Sequence, residues 1–195
     1  MSFSFDESYI GTPPWDIGRP QKEFVSLEDS GEIKGSVLDV GCGTGEHALF
    51  FASHGHQVLG IDSSKRAILK AQKKAADRNV RNVEFIVFDA LNLQELGKNF
   101  DSVIDSGLFH VFSDEQRPKF ITGIHFVLRP EGKYFMMCFS DKERTDWGGP
   151  RRVRKKEIEE SFSSGWQINY IRESKFDTSI HSNGGCAWFS SITRV

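Results

Sequence analysis

From Ser36 onward, short runs of aliphatic and β-branched residues alternate with stretches whose apolar positions recur every three to four residues. The runs "SVLDVG", "QVLGID", "VEFIVFD" and "FDSVIDSG" have the length and composition of buried strands. Between them the pattern predicts a helix over about 46–53 and a long amphipathic helix over about 64–79. Strand and helix in strict alternation imply a parallel sheet with crossover helices.

The second half continues the pattern and then changes it. A helix is expected over about 113–128, opening on Ser113 as N-cap, and "RPEGK" reads as a turn into the strand "KYFMMCFS". After a charged helix over about 154–162, the runs "QINYIRES" and "CAWFSSITRV" follow each other closely, which predicts an antiparallel, hairpin-like edge. The prolines and glycines of "GTPPWDIGRPQKEF" predict a shaped loop ahead of the sheet. The expected architecture is a Rossmann-like α/β fold: a seven-stranded, mostly parallel sheet with an antiparallel C-terminal strand, helices on both faces, residues 1–34 as an N-terminal lid and 35–195 as the main domain.

Composition narrows the functional classes. A chain of 195 residues supports one sizeable core, and its hydrophobic fraction of 38% and charged fraction of 27% are those of an ordinary globular protein. The formal charge of -2 gives no electrostatic support to a nucleic-acid or acidic-membrane partner, and the charge of "RRVRKK" is largely offset by Glu157, Glu159 and Glu160. Cys42, Cys138 and Cys186 are too widely spaced for a CxxC motif, and the histidines form no ligand pattern, so neither a disulfide framework nor a metal is expected. The segment "MSFSFDESYIG" lacks the pattern of a signal peptide, and no run of about 18 apolar residues occurs, so a cytoplasmic protein is the expectation; a small-molecule partner and a monomer or homodimer are expected beside it.

The chemistry concentrates in "VLDVGCGTGEHALFFA". Gly41, Gly43 and Gly45 allow a tight turn after the strand and a close ligand approach, and the following helix points its first amides at that ligand. The spacing is GxGxG, with Glu46 where a dinucleotide fingerprint has its third glycine. A pyrophosphate would meet Asp39 and Glu46 as like charges, whereas S-adenosylmethionine, cationic at sulfur and free of phosphate, suits Asp39. Asp62 ends the second strand, 17 residues after Gly45, placed to accept both ribose hydroxyls, and Asp89 with the Ala90 amide ends the third, available to the adenine. Acids at the carboxyl ends of successive parallel strands lie where open α/β sheets bind ligands.

"LDVGCGTG", "GIDSS" and "VFDAL" resemble the first three binding segments of class I S-adenosylmethionine-dependent methyltransferases, which adds Ser63 to the cofactor candidates. "PPWDIGRPQ", "SGLFHVFSDEQRPKF" and "GGPRRVRKKEIEESF" further resemble the thiopurine, thiol and halide methyltransferase group and its microbial relatives, over nearly the whole chain. The resemblance implies that Trp15 packs on the methionine part of the cofactor, that Arg19 lies nearby for an anionic group, and that Asp105 and Ser106 line the methionine end. Phe109, His110 and Phe112 are then expected to face the methyl acceptor, Trp147 to wall its pocket and Arg151 or Arg152 to hold an anionic acceptor.

The resemblance implies transfer of a methyl group to a small molecule, with a thiol or other soft nucleophile first and a small oxygen or nitrogen acceptor as the alternative; a non-catalytic cofactor-binding protein is the third reading. Methyl transfer from a sulfonium depends mainly on proximity and desolvation, so a base is optional. His110, with an intrinsic pKa near neutrality, and Asp105 are the candidates for that role.

Overall fold

The computed structural model describes residues 5–146 and 149–195. Seven strands, β1 (Ser36–Val40), β2 (Gln57–Asp62), β3 (Val83–Val87), β4 (Phe100–Ser106), β5 (Leu128–Phe139), β6 (Trp166–Thr178) and β7 (His181–Arg194), form one sheet in the order β3-β2-β1-β4-β5-β7-β6. The first five are parallel, and β7 enters antiparallel between β5 and β6. The Rossmann-like fold expected from the strand and helix pattern is therefore the fold observed.

Alternation along each strand feeds a core on each face. On β1, Leu38 and Val40 join Val103, Tyr134 and Met136 under α5 (Gln116–Val127) and α6 (Lys155–Ser161). Val37 points to the opposite face, with Val58, Phe135 and Met137 under α2 (Lys22–Asp29), α3 (Glu46–Ser53) and α4 (Lys65–Asp77). Two-sided burial explains why these strands read as nearly continuous apolar runs.

Strand order reverses between β1 and β4, whose registers pair Val40 with Asp105. The crevice at their carboxyl ends is the topological switch point at which such sheets bind ligands.

Local details differ from expectation for identifiable reasons. α5 begins at Gln116, three residues late, although Ser113 does exchange hydrogen bonds with Gln116 as a capping pair would. "RPEG" is no separate turn: β5 already starts at Leu128, opposite Phe100, and absorbs Arg129–Gly132 as an irregularity before Lys133 pairs with Ser102, with Glu131 in the left-handed region. The N-terminal segment contains α1 (Phe5–Ser8) as well as α2, whose buried Phe24 and Leu27 anchor it to the core.

Candidate active site

β1 runs out at Val40 and the chain turns through the three glycines into α3. Gly43 and Gly45 hold φ of 54° and 85°, in the left-handed region that side chains disfavour. A Cβ on Gly45 would lie 2.7 Å from the Phe85 ring, so this glycine lets the loop close on β3. A Cβ on Gly43 would lie 2.9 Å from the Tyr9 hydroxyl, so this one faces the N-terminal segment, while one on Gly41 would press on Leu108.

The acids of β1 and β2 meet at this loop, while that of β3 caps its own turn. Asp39 is 1% exposed and accepts the Ala48 amide at 3.1 Å, and burial, with the nearby Asp105 and Asp62, pushes its pKa up to about 8. Asp62 accepts the amides of Gly43 at 2.9 Å and Ser64 at 2.8 Å, tying the loop to the start of α4, and burial raises its pKa. Ser63 beside it is exposed. Asp89 is exposed at the end of β3, accepts the Leu91 amide at 2.9 Å and so caps the 3-10 helix Ala90–Leu96. A buried acid with a raised pKa beside a glycine cradle is a good receptor for a cationic ligand, whose charge offsets the cost of ionising it.

Glu46 does something other than repel a pyrophosphate. Its carboxylate pairs with Lys74 at 2.7 Å and Arg78 at 2.8 Å, and despite the opposing effect of burial these contacts hold its pKa below the usual range. Its charge is spent on joining α3 to α4.

The N-terminal segment lies over the loop through a residue that sequence reasoning missed. Tyr9 is buried, stands against Gly43 and accepts the Trp15 indole N–H at 3.1 Å. Trp15, 38% exposed, is thus one ring removed from the glycines. Asp6 accepts the Ser64 hydroxyl at 2.7 Å and pairs with Arg66. Farther along, the Gln21 side chain bonds both the backbone N–H and C=O of Asp177, at 2.8 Å each, and Arg19 pairs with the Asp177 carboxylate at 2.8 Å. Arg19 is therefore engaged with the end of β6. A lone tyrosine ahead of the prolines carries no signal in one sequence.

At the end of β4 the geometry revises several expectations. Asp105 is fully buried; its two oxygens accept the amides of Leu108 and Phe109 and the Tyr134 hydroxyl, at 2.7, 3.0 and 2.7 Å. Burial raises its pKa to about 7, yet its hydrogen bonds make it the organiser of the turn after Gly107 rather than a base free to reach an acceptor. That turn sends Phe109 and Phe112 inward, where Phe109 packs on Phe162 and Phe112 on Phe120, so both are core residues.

His110 sits in the short 3-10 turn Phe109–Val111, stacked on Phe139 at 5.1 Å between ring centres. Its Nδ1 accepts the Phe139 amide at 3.0 Å, which puts the ring proton on Nε2. Burial, together with the charges of Arg117 and Arg152, pushes its pKa down to about 3.

One candidate lies farther out. Arg151 pairs with Asp114 and Glu157, joining the start of α5 to α6, and Trp147 falls outside the described residues. Arg117, in the first turn of α5, is 5% exposed: Nη1 bonds Glu157 at 3.2 Å and the guanidinium lies 4.8 Å over the Phe109 ring. Among the described residues its Nε and Nη2 are buried without a hydrogen-bond partner, and such a donor costs about 1–3 kcal/mol. No pattern in the sequence sets this arginine apart from its neighbours.

Among the described residues no helix is long and apolar enough to cross a membrane, and no group of three or more His, Cys, Asp or Glu is arranged to hold a metal ion.

Comparison with known proteins agrees with this geometry. Residues 37–132 match the family model described as "Methyltransferase domain". The chain is 35% identical over 190 residues to the 2-heptyl-1-hydroxyquinolin-4(1H)-one methyltransferase of Mycobacteroides abscessus, covering 92% of this chain and 82% of the relative. It is 32% identical to probable thiol methyltransferase 2 of Arabidopsis thaliana, over 72% of this chain and 62% of that one. A solved structure described under the conversion of a disulfide bond into a thioacetal group during echinomycin biosynthesis superposes with a TM-score of 0.87 at 35% identity, covering 97% of this chain and 90% of that one. With its glycine loop, strand-end acids and these relatives, the chain belongs to the class I S-adenosylmethionine-dependent methyltransferases.

Proposed function

We propose that this methyltransferase acts on a small acceptor that arrives already deprotonated, a thiolate or other soft nucleophile first. The observation that carries the reading is the lack of an available base at the end of β4: Asp105 is saturated by the turn it builds, and the acceptor nitrogen of His110 is taken by Phe139. A small fraction of a thiol is already ionised near neutral pH and its thiolate is strongly nucleophilic, so such a site serves it without a base. The relation to a thiol methyltransferase supports this choice.

S-adenosylmethionine would supply a methyl group on a positively charged sulfur; transfer to a thiolate would form one S–C bond, return the broken bond's electron pair to the sulfonium sulfur and need no proton. The residues of this chain then have distinct tasks. Asp62 accepts the ribose hydroxyls, Asp89 and Ala90 meet the adenine, and Asp39 offsets the ammonium or sulfonium charge. Tyr9, backed by Trp15, covers the cofactor from the lid side. His110, carrying its proton on Nε2, serves as a hydrogen-bond donor and aromatic wall.

A second reading is methylation of an acidic hydroxyl on a heteroaromatic ring, favoured by the 35% identity to a hydroxyquinolinone methyltransferase. It shares the requirement for an acceptor that ionises without help.

The test is a panel of thiols, N-hydroxyquinolinones, unactivated phenols and amines with S-adenosylmethionine, each product identified by mass spectrometry. Turnover of thiols with phenols and amines silent supports the first reading. Turnover confined to the N-hydroxy compounds moves the assignment to the second, and efficient methylation of unactivated phenols or amines defeats both.

A further inference from the structure

The donors of Arg117 that lack a partner are not scattered. Nη1 belongs to Glu157, and the two left over, Nε and Nη2, share one edge of the guanidinium. That edge presents two parallel N–H bonds, the geometry that receives a carboxylate or a similar planar pair of acceptor atoms in bidentate fashion.

The surroundings favour an anion there. Glu157, the carboxylate bonded to Arg117, is shared with Arg151 and Arg154, and Asp114, 3.9 Å from Arg117, is shared with Arg151. The Phe109 ring fills the face of the guanidinium, so its edge is what is left to recognise a ligand. The chain segment before α6 crosses the same end of the sheet, where Val153 bonds the backbone of Phe139 and receives the Trp188 indole N–H at 2.9 Å. Arg117, in the first turn of α5, therefore lies at the carboxyl end of β4 and β5, where its charge acts on His110.

We propose that the Nε and Nη2 edge of Arg117 is a specificity site for the methyl acceptor, receiving a carboxylate or an equivalent planar two-acceptor anion carried by that molecule. The proposal rests on the small-molecule reading above and narrows its substrate class: the acceptor combines a soft nucleophile with such a group. It also accounts for a buried cation keeping two unmatched donors, which a purely structural arginine would pair.

The experiment separates this proposal from the reading beneath it. S-adenosylhomocysteine is titrated by calorimetry into wild type, Arg117→Met and Arg117→Lys; benzoate is then titrated into each complex, and kcat/KM is compared for 3-mercaptopropionate and 1-propanethiol. Expected are S-adenosylhomocysteine binding in all three proteins, benzoate binding to wild type weakened about tenfold or more in Arg117→Met, and a preference for 3-mercaptopropionate that Arg117→Met erases and Arg117→Lys keeps in part. Benzoate binding and thiol preference that survive in Arg117→Met, or a wild-type complex that binds no benzoate and shows no preference, overturn the proposal while leaving the methyltransferase intact. Failure of wild type to bind S-adenosylhomocysteine removes the cofactor reading, and this proposal with it. If Arg117→Met does not fold, Arg117→Lys decides: a folded lysine variant with wild-type benzoate affinity and preference rules out the bidentate edge.

Discussion

The Tyr9 hydroxyl stands 2.9 Å from the point where a Cβ on Gly43 would be, so the N-terminal segment touches the glycine loop there, as it does where the Thr44 hydroxyl bonds Asp16 at 2.9 Å. Gly43→Ala places a methyl group at that point and forces a non-glycine residue into a left-handed conformation, at about 1–2 kcal/mol. The expected result is a loss of S-adenosylhomocysteine affinity of about tenfold or more, measured by calorimetry, with the fold retained. Adding Tyr9→Phe should recover part of it. No recovery would show that backbone strain, rather than the contact with the lid, sets the loss.

Asp62 holds the loop through Gly43 and the start of α4 through Ser64, and is proposed to receive the ribose. Asp62→Asn keeps the size but replaces one acceptor oxygen by a donor, so it should weaken S-adenosylhomocysteine by about 1.5–3 kcal/mol, the worth of charge-assisted hydrogen bonds. A 2'-deoxyribose analogue of the cofactor product should lose most of that sensitivity. Equal losses for both ligands would place Asp62 in the loop's support alone.

His110 accepts the Phe139 amide, and its pKa of about 3 keeps it neutral throughout the physiological range. The pH dependence of kcat should therefore show no limb between pH 5 and 7 attributable to this residue. His110→Ala leaves the buried Phe139 N–H unmatched and should cost about 1–3 kcal/mol in denaturant unfolding. A limb near pH 6.5 that disappears in His110→Gln would restore this histidine as a base.

Stability of the ligand-free protein should decrease as pH rises through neutrality. Asp39 and Asp105, raised by burial to about 8 and about 7, keep their protons in the native state over a range where the unfolded chain has lost them, so each pH unit above the usual carboxylate value weakens folding. The neutral His47 and His110, lowered by burial to about 4 and about 3, act oppositely, but only below their ordinary value of 6.5. From pH 6.5 to 8 the acids act alone, and Asp39 contributes a loss on the order of 2 kcal/mol, about 1.4 kcal/mol per pH unit. Thermal melts should show a Tm that declines over this window and much less so in Asp39→Asn; a flat Tm in wild type contradicts the buried, protonated acid. S-adenosylmethionine should reduce the slope, because a cation beside Asp39 favours its ionised form.

How far the sequence reached depends on what kind of contact defines each feature. The parallel sheet, the helix at 46–53, the strand at 57–62, and the glycine loop with Asp39, Asp62 and Asp89 follow from local rules: apolar periodicity, turn residues and strand-end spacing operate within about thirty residues. The roles of Tyr9, Asp105, His110 and Arg117 depend on partners brought from elsewhere in the chain, at Gly43, Tyr134, Phe139 and Glu157. Whether a histidine has a free nitrogen, or an arginine a free edge, is decided by hydrogen bonds across 29 and 40 residues. The glycine loop and strand-end acids proposed for the cofactor were therefore readable from local pattern, whereas the arrangement proposed for the acceptor exists only once the sheet, α5 and α6 have packed, because a polar group's chemistry is set by which of its donors and acceptors burial leaves unpaired.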